Sequence, residues 1–384
     1  MADIATLSVL LSLRDQMSQG LQTARERMQG FGQSAGQMGR QLGLAIAPIA
    51  LLGGVSIKAA SDFESSFAGV RKTVNATESE FAALSAGFRG MAKEIPISVN
   101  ELNRIGAAAG QLGIKKENIL AFTRVIANLG VTTNLSSDIA ATSLARLANI
   151  TGLPQTQFDR LGSTIVALGN NLATTEAEIT NFGLRIAGAG KIAGLTEAQI
   201  LAIGGAMSSV GVEAEAGGTA VQKVLLGITE AVATSSEQLQ IFAKVAGMSA
   251  DAFAKAFQED AAGAFRAFVE GLGKAGTDAF AILEQLGLQD QRLIRSFLSL
   301  AGAGDLLRDS LNLGTKAFAE NSALIEEAQK RYETFASKME IFKNKVMDAA
   351  ITVGQPLMAA LTDMFKTAQP LIETMGRLAE RFAA

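Results

Sequence analysis

Apolar residues recur at helical spacing along almost the whole chain, and in two places they tighten into a strict alternation of four and three. The first such stripe runs Met17, Leu21, Ala24, Met28, Phe31, Ala35, Met38, Leu42, Ala45, Ile49, Leu52. A two-in-seven seam is too narrow to hold a helix onto a broad globular face and predicts pairing with a second helix. Gly30, Gly32, Gly36, Gly39 and Gly43 lie in the same stretch, and each lowers helix stability by about 1 kcal/mol relative to Ala. The Gly32/Gly36 and Gly39/Gly43 spacings let two backbones approach closely. Met17, Leu21, Met28, Phe31, Met38, Leu42, Ile49 and Leu52 are therefore expected to form an association seam.

The second stripe is Ile325, Ala328, Tyr332, Phe335, Met339, Phe342, Val346, Ala349 and Val353, on a segment rich in both charge signs. Glu326 with Lys330, and Glu327 with Arg331, stand in the supportive i,i+4 order. With Ile325 at heptad position a, the g row is Arg331, Lys338 and Lys345, facing Ala336, Lys343 and Ala350 at e. No acidic row answers these cations. A parallel homodimer is poorly specified, and antiparallel packing within the chain or a seam against another protein fits better. Thr6 to Leu13 alone departs from helical spacing, its alternation making a short strand compete with helix.

Sliding the sequence against itself exposes a duplication. Gly113, Ile119, Leu120, Ala121, Gly130, Val131 and Leu144 recur as Gly194, Ile200, Leu201, Ala202, Gly211, Val212 and Leu225, a shift of 81. Upstream the shift is 77, pairing Phe81, Leu84, Glu101 and Gly106 with Phe158, Leu161, Glu178 and Gly183. Four residues are thus inserted between Gly183 and Gly194. Ser98 with Glu101, and Thr175 with Glu178, both read as capping boxes at helix starts. Gly113 and Gly194, like Gly130 and Gly211, sit where helices are expected to end on a left-handed residue. The duplicated glutamates are structural in this reading, not catalytic.

After Ala233 the composition turns toward Phe, with Phe242, Phe253, Phe257, Phe265, Phe268, Phe280 and Phe297 marking the expected buried faces of short helices. The predicted fold class is all-α: an elongated helical protein with a duplicated helical core and flanking coiled-coil-like helices. Four parts follow: an N-terminal heptad and Gly-rich helix (1–60), the duplicated repeat (61–232), a Phe-rich helical subdomain (233–320) and C-terminal amphipathic helices (321–384).

The 384 residues include no His, Cys or Trp and a single Tyr. Ser-His and Cys-His nucleophile pairs, zinc sites of the usual N/S type and disulfides are excluded by composition. No catalytic residue, cofactor or metal site is expected. A glycosidase needs only two carboxylates, yet the shortage of aromatic rings for sugar stacking argues against a muramidase. Gly188-Ala-Gly190-Lys191 lacks the phosphate-loop frame, because position 185 is Arg and position 192 is Ile. A net charge of −3 does not suit a general nucleic-acid binder. Nothing at the start reads as a signal peptide. The uncharged run from Gln41 to Ile57 is shorter than the roughly 20 residues of a bilayer span, which leaves a buried or conditionally membrane-inserting helix.

Ala59-Ala60-Ser61-Asp62-Phe63-Glu64, followed by Phe67 and Val70, resembles the core region of tail tape measure proteins of long-tailed bacteriophages. Gly247-Met248-Ser249 leading to Phe253, Leu286-Gly287-Leu288 with Arg292, and Ala328 to Asn344 with Thr334 and Lys343-Asn344 follow in that family's order. Phe63, Glu64 and Val70 are the motif residues carried over. The resemblance spans roughly residues 10–365 and implies a virion component packed as several copies in the tail tube lumen, setting tube length and leaving before DNA passes. Implied partners are the tail tube protein, tail assembly chaperones and tail tip or baseplate proteins, with a homo-oligomeric state and host-membrane contact on ejection. A membrane-active, pore-forming helical protein is the alternative. The chain is shorter than the family's usual members, which carry longer helical stretches and sometimes a cell-wall hydrolase domain.

Overall fold

The computed structural model describes residues 49–383, and among these all regular structure is helical: seventeen α-helices and two short 3-10 turns, with no strand. The competing strand at Thr6 to Leu13, and the seam residues from Met17 to Leu42, lie outside the described residues. Two compact units are distinguished: 49–68 with 341–383, and Gly69–Glu340. In the first, α1 (Ile49–Thr73) meets α17 (Phe335–Ala383) at a glycine. A Cβ at Gly354 would overlap the carbonyl oxygen of Ser56 and lie 2.8 Å from Cβ of Ala60. Ser56 and Ile351 are buried there.

The duplication forms two sets of four helices. The first is α2 (Glu78–Ala92), α3 (Val99–Gln111), α4 (Ile119–Thr132) and α5 (Ser137–Thr151). Its counterpart is α6 (Phe158–Asn171), α7 (Glu176–Ala193), α8 (Glu197–Ser209) and α9 (Ala214–Thr234). In each set the first helix packs on the second and third, the second on the third and fourth, and the third on the fourth. The matched residues serve the same ends: Phe81 and Phe158, Leu84 and Leu161, Ile119 and Ile200, Leu144 and Leu225 are all buried. The four inserted residues lie inside α7 and amount to about one helical turn. They lengthen the helix while keeping its buried face in register.

Helix ends explain seven positive-φ glycines. At Gly194, φ is +88° and the Leu195 N–H donates to the Gly190 carbonyl at 2.8 Å, while buried Leu195 closes the end. This is a Schellman stop, which only a residue tolerant of positive φ makes without strain. The same bond recurs at Ile114, Leu153, Val212, Met248 and Leu288, each following a positive-φ glycine. Gly130 is the exception to the expected pairing with Gly211. It lies within the last turn of α4, which ends instead at Thr133 in an extended conformation, with the Thr132 and Thr133 hydroxyls donating to the carbonyls of Asn128 and Leu129.

The two predicted capping boxes also differ. At α7 both halves form: the Thr175 hydroxyl accepts from the Glu178 N–H, and the Glu178 carboxylate accepts from the Thr175 N–H at 3.1 Å. At α3 only the Ser98 half forms, because Glu101 pairs with Arg104 one turn on. Full boxes also start α2 (Thr77 with Glu80) and α8 (Thr196 with Gln199). Glu178→Ala is accordingly expected to cost about 1 kcal/mol in chemical denaturation, and Glu101→Ala only a few tenths. Equal losses would contradict this assignment.

The Phe-rich stretch folds as α10 (Glu237–Val245), α11 (Ala250–Glu259), α12 (Ala261–Lys274), α13 (Asp278–Gln285) and α14 (Gln291–Ala301). Six of the seven marker phenylalanines are buried. Phe280 is half-exposed, because α13 turns Ala279 and Leu283 inward instead. The chain then returns as α15 (Gly304–Glu320), which packs on α6 and α8, and α16 (Ala323–Tyr332), which packs on α4 and α6.

The second heptad stripe does not ride one helix. It breaks at Glu333-Thr334, where the Thr334 hydroxyl accepts from the Ser337 N–H and starts α17. Ala328 is buried against the core side, whereas Phe335, Met339, Phe342 and Val346 face solvent. Among the described side chains, the buried positions of α17 are Asn344, Ile351 and Gly354, on a side turned away from the stripe that the heptad count selected.

Candidate functional site

The two copies of the repeat differ in what covers the groove between their first and third helices. In the second copy α15 fills it, and Gly314 of α15 sits so close to α8 that a Cβ there would lie 3.0 Å from the Ala198 carbonyl oxygen and 3.1 Å from Cβ of Ala202. In the first copy the equivalent Ala121 is exposed, and ion pairs bridge the groove instead: Lys116 to Glu80 at 2.7 Å and Arg124 to Glu94 at 2.8 Å. The Lys116 ammonium, with the Thr77 N–H and hydroxyl, holds the Glu80 carboxyl down at about 2. Lys116 and Arg124 correspond to Glu197 and Gly205 in the second copy. Charge closes one end of the repeat where small residues open the other to a helix.

The returning hairpin is fastened by a polar joint at the start of α6. α15 ends on Asn321 in the left-handed conformation (φ 54°). Its last carbonyls would otherwise lack donors. The Arg160 guanidinium donates to the Phe318 and Ala319 carbonyls at 2.7 and 3.1 Å, a cation at the negative end of the helix. The Asn321 amide donates to Asp159, and the Ser163 hydroxyl donates to the Asn321 side-chain oxygen at 3.1 Å. Gly162 makes room for Leu324, whose Cδ2 would lie 2.7 Å from a Cβ at that position. About two turns further along α16, the Tyr332 hydroxyl donates to the buried Asn128 side chain. Burial is the main reason that the Tyr332 phenol is pushed up to about 12. A cleft of about 370 Å³ beside the joint is lined by Phe122, Arg124, Asn128, Gln155, Asp159 and Ile325. Arg124, Asn128, Asp159 and Gln155 in its lining are committed to protein partners, Gln155 to the backbone of Gly113 and Lys115.

This arrangement fastens helices and carries no reacting pair. Burial raises the Glu178 carboxyl, but the Thr175 N–H and the Ser208, Thr175 and Thr174 hydroxyls outweigh it and keep the group below the usual carboxylate range. Glu178 is thus held as a charged cap. Gly188 to Lys191 lies inside α7 and forms no loop. Among the described residues no group of three acidic side chains is placed to hold a metal.

The motif residues are placed by packing. Phe63 and Val70 are buried along α1, with the Phe63 ring stacked on Phe67 at 5.8 Å, whereas Glu64 is exposed. Gly247 and Gly287 are Schellman stops, Ser249 caps α11 by accepting from the Ala252 N–H, and Arg292 pairs with Glu213 at 2.6 Å. Ile49 and Leu52 fall within α1, and the remaining seam residues lie outside the described part. Asp159, Arg160, Ser163 and Asn321 escaped sequence reading. Their only local signal is the Asn321-Ser322 pair between two helical runs, a turn signal that says nothing of α6.

A family model for phage-related minor tail proteins matches residues 85–281, from within α2 to within α13, slightly more than half of the chain. The chain belongs to this family. No curated protein and no solved structure matches it. Membership of the phage-related minor tail proteins gives the chain a structural role in a phage tail, and so makes it a virion component. The matched region holds nearly the whole duplicated core and most of the Phe-rich helices, with the Gly247-Met248-Ser249 motif inside it. Phe63, Glu64 and Val70 precede it, and Leu286-Gly287-Leu288 follows it.

Proposed function

We infer that this minor tail protein acts as the tape measure of its tail: several copies packed in the tube lumen template tube length during assembly and leave at DNA ejection. The observation that carries the reading is the family match over residues 85–281. Two features support it. The family-like motifs before and after the match keep tape measure order, and α17 runs for 49 residues without a break, about 74 Å of rod at 1.5 Å per residue. Its partners are then the tail tube protein, assembly chaperones and tip or baseplate proteins, with the Met17 to Leu52 stripe joining copies to one another. No described helix is long and apolar enough to cross a membrane; the Leu42 to Ile57 run behind the pore-forming alternative lies partly outside the described residues.

An in-frame deletion of two heptads from α17 is expected to shorten assembled tails by about 21 Å in electron micrographs. Deletion of α7 should block assembly, because it removes the centre of a folded core. Tails of unchanged length after the α17 deletion would sink the ruler role.

A further inference from the structure

From Phe335 to Val346 the second stripe is uncovered. Phe335 is 79% exposed, Phe342 56%, Met339 50% and Val346 45%, on one uninterrupted helix. At roughly 100° per residue these four side chains fall within an arc of about 60°. Lys338 and Lys345 border it on one flank and Lys343 on the other, while Glu340 and Asp348 project toward the side that holds buried Asn344 and Ile351. The outward half of this segment therefore carries cations only.

We propose that the Phe335 to Val346 face of α17 docks a heptad helix of a second protein whose flanking positions are acidic. The spacing and the charge select that occupant together. An a/d seam this narrow matches the facing seam of another helix, whereas a helix lying on a bilayer presents a wider apolar arc. A second copy is disfavoured in both directions, since Lys338 would face Lys343 in a parallel pair and Lys345 in an antiparallel one. The chain's own N-terminal stripe is flanked by Arg25 and Arg27, the same sign again. Carboxylates on the partner answer Lys338 and Lys345 and steer the encounter. This assignment does not depend on the ruler role.

The test uses the full chain and two fluorescent synthetic heptad peptides with the same Ile/Leu core, one bearing Glu at every e and g position and the other Lys. Fluorescence anisotropy should show binding of the Glu peptide, weakened by added salt, and at least tenfold weaker binding of the Lys peptide. The double change Lys338→Glu with Lys345→Glu should reverse that preference. Phe342→Ser should lower affinity for the Glu peptide at least tenfold, with Met339→Ser as a second probe, and circular dichroism should report unchanged helicity because all four positions are exposed. Equal binding of both peptides, or a preference that survives the charge reversal, overturns the proposal. So does failure of the Glu peptide while the chain sediments with phosphatidylglycerol vesicles, or self-association that Phe342→Ser abolishes, since these identify a bilayer or a second copy as the occupant.

Discussion

Gly271→Ala is expected to destabilise the larger unit by about 3 kcal/mol, a fall in Tm on the order of 10 °C by differential scanning calorimetry. The single methyl is costly because of what it meets. A Cβ at Gly271 would overlap the carbonyl oxygen of Val245, the last residue of α10, and one at Gly273 would overlap that of Ala301, the last residue of α14. Two residues on α12 thus form saddles for the ends of two other helices. Backbone cannot rotate aside as a flexible side chain can, so in the Gly271 variant α12 would have to move away from the end of α10. Gly188→Ala is the matched control. It lies in α7 with nothing within 4 Å of the added carbon, and removing a helix-interior glycine there should stabilise by about 0.5–1 kcal/mol. If both substitutions shift Tm equally, close backbone approach is not what retains Gly271.

These glycines mark how far the sequence could be read. Helical spacing, the 77 and 81 shifts and the buried repeat positions were all legible, because a duplicated unit must bury the same faces twice. Gly194 and Gly113 were legible as helix stops for a similar local reason. What was not legible depended on partners distant in the chain. Gly130 and Gly211 are equivalent in sequence, but hydroxyl caps at Thr132 and Thr133 end α4 without a left-handed residue. Heptad counting found the apolar stripe from Ile325 to Val353 and could not say which part the core covers. Ala328 went inward and Phe335 outward because two residues, Glu333 and Thr334, interrupt the helix between them. The Arg160 joint spans 158 residues of sequence, and no periodicity reports a contact of that range.

Phe268→Ala is expected to cost about 3–5 kcal/mol in urea denaturation, through lost burial and the cavity left behind. Phe268 is fully buried and central to the aromatic cluster, its ring 5.1 Å from that of Phe242 on α10 and 6.2 Å from that of Phe297 on α14. The edge-on approach to Phe242 adds a directional contact beyond area alone. Neighbouring rings cannot fill the gap by turning, since Phe242 is also stacked on Phe253, and Phe297 meets Phe265 edge to face. The loss should reach beyond the cluster, because α14 packs on α9 and α12 on α15, the helix that fills the groove of the second repeat. Unfolding followed by far-ultraviolet circular dichroism should therefore remain one transition at a lower midpoint. Phe280→Ala, at the half-exposed position on α13, should cost less than about 1 kcal/mol. A separate early transition in the Phe268 variant would show that α10 to α14 fold apart from the duplicated core, and equal costs at Phe268 and Phe280 would show that the ring cluster does not hold these helices together.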